Sequence, residues 1–152
     1  MSVFTLENEA FAGLVFYGAL CLAKTTAMSM VTAFHRITKQ SVPTEEDARM
    51  STKDPEKIKR MLQPNDDVER SRKAHLNDLE NVVPFVLLGL LYISTNPPAA
   101  TALTHFKVGL SARLLHSVAY IFKLRAPSRG VGFVLGFATT ISMLYRTISA
   151  VY

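Results

Sequence analysis

VERSRKAHLNDLENVVPFVLLGLLYIST, residues 68–95, joins two patterns in one stretch. Its second half, residues 82–95, is mostly apolar. That half is too short to cross a bilayer core alone, which takes about 20 mostly apolar residues in a helix. The first half is polar, yet Lys73, Asn77 and Glu80 are spaced i, i+4, i+7 and share one helical face. A single helix from about Val68 to Thr95, amphipathic at its start and apolar at its end, reconciles the halves. Pro84 would kink it, since proline removes a backbone hydrogen bond and crowds the preceding turn.

Working outward, Asn96-Pro97-Pro98 predicts a tight, uncharged turn. Residues 99–122 (AATALTHFKVGLSARLLHSVAYIF) are long enough to span but carry His105, Lys107, Arg113 and His116. A basic link, KLRAPSR at 123–129, leads to residues 130–151, where Arg146 stands near the end and can snorkel. Upstream, residues 10–34 hold Lys24 as their only charge. The pattern predicts one all-α integral membrane domain, a bundle of four transmembrane helices at about 10–36, 68–95, 99–122 and 129–151. Glu7 and Glu9 ahead of the first helix argue against a cleavable signal peptide, which starts basic. Residues 37–67 have no sustained apolar period and read as a solvated, partly mobile loop.

Bulk composition hides this organisation. The chain has 152 residues, 49% hydrophobic and 19% charged, figures ordinary for a soluble protein. The charges, however, are segregated. Residues 1–34 carry net −1, residues 35–80 hold ten basic and ten acidic groups, and residues 81–152 hold six basic groups and no carboxylate side chain. Such separation argues against a disordered chain and against an ordinary soluble surface. With four spans, both basic loops, 37–67 and 123–129, fall on one side, and the positive-inside rule places them in the cytosol. The single cysteine, Cys21, excludes an intrachain disulfide and the common cysteine-based zinc sites. His75, His105 and His116 lack metal-ligand spacing. The basic residues of 35–80 are interleaved with acids, which speaks against nucleic acid as a partner. No GxSxG, Walker or GxGxxG motif is present.

Charge within a bilayer costs about 2.5–3.5 kcal/mol per residue, so it needs a partner or a task. Lys73, Asn77 and Glu80, with Arg70 one turn earlier and Arg72 and His75 on neighbouring faces, offer cations, an amide and a carboxylate suited to a zwitterionic ligand. The alternative is Glu69 pairing with Arg72 or Lys73 on a wetted helix end. Arg113, His116 and Tyr120, at i, i+3, i+7, form a second face. Arg113 needs a carboxylate, and Glu80 or Asp78 is the nearest source in sequence; a purely structural ion pair between helices is the competing reading. Arg129 follows Pro127 at the start of the last helix, where the helix terminus already favours anions. Lipid-headgroup contact is the alternative for Arg125 and Arg129. Lys24 could contact a substrate or snorkel, and it reads as a structural residue more readily than a substrate contact.

At residues 68–85 the stretch VERSRKAHLNDLENVVPF resembles the signature of the membrane-associated proteins in eicosanoid and glutathione metabolism, the MAPEG family. Thr32-Ala33-Phe34-His35-Arg36, Gly89-Leu90-Leu91-Tyr92 and the run Arg113 to Tyr120 resemble its other helices, so the likeness covers nearly the whole chain. Leu76 and LENVVPF resemble the family's microsomal glutathione transferases. Lys123 to Arg129 look more like its prostaglandin E synthases. Lys73 stands where the family usually has arginine, and Ala48 where its transferases carry a reactive loop cysteine. Thr44-Glu45-Glu46-Asp47 replaces the family's Asn-Pro-Glu-Asp. Gly130 and Phe133 replace a serine and a tyrosine of the synthases.

The resemblance implies a homotrimer of four-helix subunits in the endoplasmic reticulum membrane, with the mitochondrial outer membrane as a second location. It implies glutathione as cosubstrate, bound between subunits and open to the cytosol, and no metal. The expected activity is conjugation of glutathione to hydrophobic electrophiles, with peroxidase activity on lipid hydroperoxides. A glutathione-dependent isomerase and a non-catalytic scaffold or lipid-binding protein are the alternatives. By resemblance, Arg36, Arg72, Lys73, His75, Asn77, Glu80, Arg113, His116 and Tyr120 bind glutathione or support its site. Arg129 matches the arginine that stabilises the thiolate.

Overall fold

Asn8 begins the first helix by accepting hydrogen bonds from the backbone N–H groups of Ala10 and Phe11, which satisfies donors that the helix itself leaves open. That helix, α1, runs Glu9–Lys39 and ends at Gln40 in the left-handed conformation. The computed structural model describes residues 2–152. Beyond α1 it holds α2 (Glu45–Ser51), α3 (Pro55–Met61), α4 (Asp66–Ser94), α5 (Ala99–Ile121) and α6 (Ser128–Ser149), and no strand among the described residues.

The four long helices fall within a few residues of their sequence-based bounds, and α4 is one continuous helix that contains Pro84. Residues 37–67 depart from expectation, because they fold into α2 and α3 instead of forming an irregular loop. Thr44 caps α2 and Asp54 caps α3, each with acids in the first turn and bases in the last, matching the helix dipole. Each helix has seven residues and buries one side chain, Ala48 or Ile58, so no apolar period can be seen in the sequence. Backbone N–H of Val42 to the Met61 carbonyl, 3.0 Å, and the Ser41 hydroxyl to the Gln63 carbonyl, 3.2 Å, stitch this segment to the end of α1.

In the bundle α4 and α5 pack on each other, α1 packs against both, and α6 packs against both from the other flank. The Asn96 turn, with Asn96 at φ 51°, reverses the chain between α4 and α5. Near that turn the core is apolar: Leu14, Phe85, Tyr92, Ile93, Ala102, Phe106 and Met143 are buried together. Gly132 lets α6 approach α5 closely, since a Cβ there would come within 2.8 Å of the His116 backbone nitrogen. The outer surface is rich in exposed apolar side chains such as Phe16, Leu87, Leu91, Val134, Phe137 and Ile141. Three stretches are long and apolar enough to cross a membrane: Glu9–Lys39, Pro55–Ser94 (which ends in α4) and Ser128–Ser149. The polar residues of α5 keep it outside that group, so the fourth span expected from sequence is not among these three.

Candidate functional site

At the end of the bundle that carries the basic segments, the core changes character. Asp78 on α4 is fully buried and meets three side chains. Arg113 of α5 donates to its Oδ1 at 2.6 Å, Lys24 of α1 pairs with the same oxygen, and the Ser117 hydroxyl lies 3.4 Å from Oδ2. Arg113 also donates to Asn77 Oδ1 at 2.8 Å. A carboxylate taken from water costs several kcal/mol, and paired cations with additional hydrogen bonds offset that cost. Of the two carboxylates expected for Arg113, the structure selects Asp78. Glu80 is exposed, and its direct pairing with Arg113 is corrected by two residues of helical phase, about 200°: Asp78 points into the bundle and Glu80 away from it. Lys24, read from sequence as a structural residue able to snorkel, instead turns inward as an ion-pair partner of Asp78.

Above this node lies an open cleft of about 290 Å³ lined by Asp66, Glu69, Arg70, Lys73, Tyr120 and Arg129. Arg129, in the first turn of α6, holds its guanidinium 4.7 Å from the centre of the Tyr120 ring, within cation–π range. His116 sits 5.6 Å from the same ring, centre to centre. Arg113 Nε, His116 Nδ1 and Arg70 Nε are buried without a hydrogen-bond partner among the described residues. Two carboxylates and three cations on one cleft can receive a ligand bearing both signs of charge.

Of the residues singled out in sequence, Arg70, Lys73, Tyr120 and Arg129 line this cleft, and Asn77, Arg113 and His116 lie on the helices around it. Arg72 pairs with Glu69 at 2.8 Å, which is the local pairing weighed as the alternative. Arg36, His75 and Glu80 are not among the lining residues. Asp66 and Glu69 were missed as site residues. They stand seven and four positions before Lys73, so continuing the i, i+4, i+7 stripe backwards would have reached them.

At the rim, Asp67 receives Lys123 at 2.8 Å and Lys39 at 3.4 Å, tying the ends of α1 and α5 to the start of α4. The hydrogen bond from Lys123 holds the Asp67 carboxyl below its ordinary value, with Lys39 adding to the effect.

The sequence pattern of the MAPEG family matches residues 14–149. Microsomal glutathione S-transferase 1 of Sus scrofa is 41% identical over 145 residues, covering 95% of this chain and 93% of the relative. The protein of the same name in Homo sapiens is 39% identical over 145 residues, with the same coverage. Prostaglandin E synthase of Equus caballus is 30% identical over 147 residues, covering 97% of this chain and 93% of the relative. The match therefore takes in the buried Asp78 node, the cleft and all four long helices, and the chain belongs to the MAPEG family.

Proposed function

We propose that this protein is a glutathione transferase of the endoplasmic reticulum membrane that joins the glutathione thiolate to hydrophobic electrophiles and reduces lipid hydroperoxides. The observation that carries this is Arg129 over Tyr120 in a cleft also lined by Lys73, Arg70, Asp66 and Glu69. Glutathione has two carboxylates, one ammonium and a thiol. Lys73 and Arg70 suit the carboxylates, Glu69 or Asp66 the ammonium, and Arg129 the sulfur. Identity near 40% to the microsomal glutathione transferases supports the same reading.

A free thiol ionises near pH ~8.5, so little glutathione is reactive at neutral pH. Lowering that value by one unit requires about 1.4 kcal/mol in favour of the thiolate. The start of α6 supplies roughly 0.3–1 kcal/mol of this, and the guanidinium adds more without titrating. The thiolate then attacks the electrophilic carbon, a C–S bond forms, and the leaving group departs with its electron pair. With a hydroperoxide it attacks the outer oxygen, releasing the alcohol; a second glutathione converts the sulfenic acid to disulfide and water.

The basic end of the bundle faces the cytosol and both termini the lumen, with four helices crossing. The functional unit is a homotrimer: Arg36, His75 and Glu80 lie off the cleft in a single chain, and a neighbouring copy brings such residues to the same ligand.

Arg129→Leu is expected to lower the thiolate absorbance of the glutathione complex at neutral pH, with recovery at higher pH, and to slow conjugation of an aromatic halide about tenfold or more. Glutathione binding should fall less, because other cations hold the carboxylates. Arg125→Leu, which shares the segment but does not line the cleft, is the control. Equal loss in both variants would assign the effect to general electrostatics. An unchanged Arg129→Leu would remove the residue from the chemistry. The 30% identity to prostaglandin E synthase favours a second reading, isomerisation of a lipid endoperoxide, which turnover of that substrate without halide conjugation would establish.

A further inference from the structure

A second cleft, about 650 Å³ and larger than the first, lies outside the site described above. It is formed where the end of α1, the end of α2, the body of α3 and the cap of α4 meet. Lys39, Lys57 and Arg60 supply its charge, and Ser41, Ser51, Thr52, Gln63 and Asn65 its hydroxyl and amide groups. Among the described residues no carboxylate side chain lines it. That selection is informative, because the same segment is rich in acids, and Glu45, Glu46, Asp47, Asp54, Glu56, Asp66 and Asp67 all stay off the lining, although Asp67 pairs with Lys39 at 3.4 Å. Glu45 pairs with Arg49 at 2.6 Å, and Asp54 and Thr44 are committed to helix caps. The walls are fixed by the Ser41–Gln63 and Val42–Met61 hydrogen bonds. Lys57 and Arg60, without an ion pair among the described residues, and Lys39, shared with Asp67, stand beside short-reach hydroxyls and make a favourable setting for a phosphate, which accepts several hydrogen bonds at once. The cleft also lies at the basic end of the bundle, the level at which lipid phosphates stand if that end meets the cytosolic leaflet.

We propose that this cleft binds a phosphomonoester or phosphodiester anion through Lys57 and Arg60, with Lys39, shared with Asp67, at its edge. The source is a lipid headgroup or a free phosphate, and the chemistry of recognition is the same for both. The site is independent of glutathione binding and does not rest on the transferase reading.

The test uses the full chain in detergent and calorimetric titration with dihexanoyl phosphatidate, dihexanoyl phosphatidylcholine and inorganic phosphate. Phosphatidate should bind, and Lys57→Gln with Arg60→Gln should weaken it about tenfold or more. Lys53→Gln with Lys59→Gln removes the same charge from residues that do not line the cleft and should leave affinity within about twofold. Saturation by inorganic phosphate at comparable concentration supports the site and names free phosphate as the source. Binding of phosphatidate alone supports it with the lipid as source. Equal loss in the two double variants, or no binding by any probe, overturns it. Glutathione affinity, measured in the same preparations, should be unchanged by Lys57→Gln with Arg60→Gln. An unchanged circular dichroism spectrum and thermal midpoint in detergent show that these variants are folded.

Discussion

Asp67 and Asp78, both on α4, are each held between two cations. In each case one cation comes from α1 and the other from α5 or the residues just after it. They stand eleven residues apart, about three turns or roughly 16 Å along the axis, and so on one face. Asp67 lies at the partly exposed rim with Lys39 and Lys123, whereas Asp78 is in the interior with Lys24 and Arg113. The same wiring has different consequences because its surroundings differ. Water competes at the rim and screens the charges, so each pair there is weak. In the interior nothing replaces a lost partner, and removal of one member leaves the others stranded. An apolar cluster could have filled that space at no such risk, as Phe85, Phe106 and Ile93 do at the opposite end of the bundle. The interior group therefore makes sense as a device that fixes Arg113 and Asn77 beneath the cleft.

Breaking the interior group gives the largest expected effect. Asp78→Asn leaves Lys24 and Arg113 without a counter-charge and should cost about 3–5 kcal/mol, read as a lowered thermal midpoint in detergent. Adding Lys24→Met should recover part of the loss, because the two residues form one unit and their effects do not add. A small cost for Asp78→Asn, or strict additivity of the pair, would mean that water reaches this group as freely as it does the rim.

A second test perturbs the distance between helices and leaves every charge in place. A Cβ at residue 132 would lie within 2.9 Å of the Ala112 carbonyl oxygen and 2.8 Å of the His116 nitrogen, and backbone atoms cannot rotate aside. Gly132→Ala should therefore cost about 1–3 kcal/mol and push the start of α6 away from α5. Gly130, two residues earlier, has nothing within 4 Å of a new Cβ, and Gly130→Ala should be neutral within about 0.5 kcal/mol. If displacement of α6 also separates Arg129 from Tyr120, Gly132→Ala will reduce thiolate formation while Gly130→Ala will not.

What was legible in the sequence follows the same division between long-range pattern and local geometry. The four long helices could be read because each sustains an apolar or amphipathic period over five or more turns, and Asn96-Pro97-Pro98 marks one break between them. Lys73, Tyr120 and Arg129 stand in three separate groups in the sequence and are joined there only by family resemblance; the fold brings them to one cleft. The helices α2 and α3 were hidden because two turns with a single buried side chain carry no period, although Thr44 and Asp54 are recognisable caps in hindsight. The choice of Asp78 over Glu80 turns on about 200° of helical rotation, at ~100° per residue, and depends on how α4 is rotated against α5. No local propensity encodes that rotation. It is set by packing at points such as Gly109, which seats the Phe85 ring, and so appears only once the helices are assembled.

The rim gives the smallest effect and the one that sharpens the comparison most. The Asp67 carboxyl is held below its ordinary value by Lys123, and by Lys39 to a lesser degree. A carboxylate with a depressed folded value adds stability above its unfolded value, about 3.9, and that contribution fades as pH falls through the folded value. Asp67→Asn should thus lower the thermal midpoint slightly at neutral pH. The difference from the parent should shrink as pH is brought from about 6 to about 3. Near-molar salt should erase the difference at neutral pH, since the Debye length then drops to about 3 Å. Neither treatment should rescue Asp78→Asn, whose penalty comes from burial and not from a screened surface attraction. If salt softened both variants equally, the two carboxylates would share one environment. The distinction between a rim that ties helix ends and an interior that positions the site would then collapse.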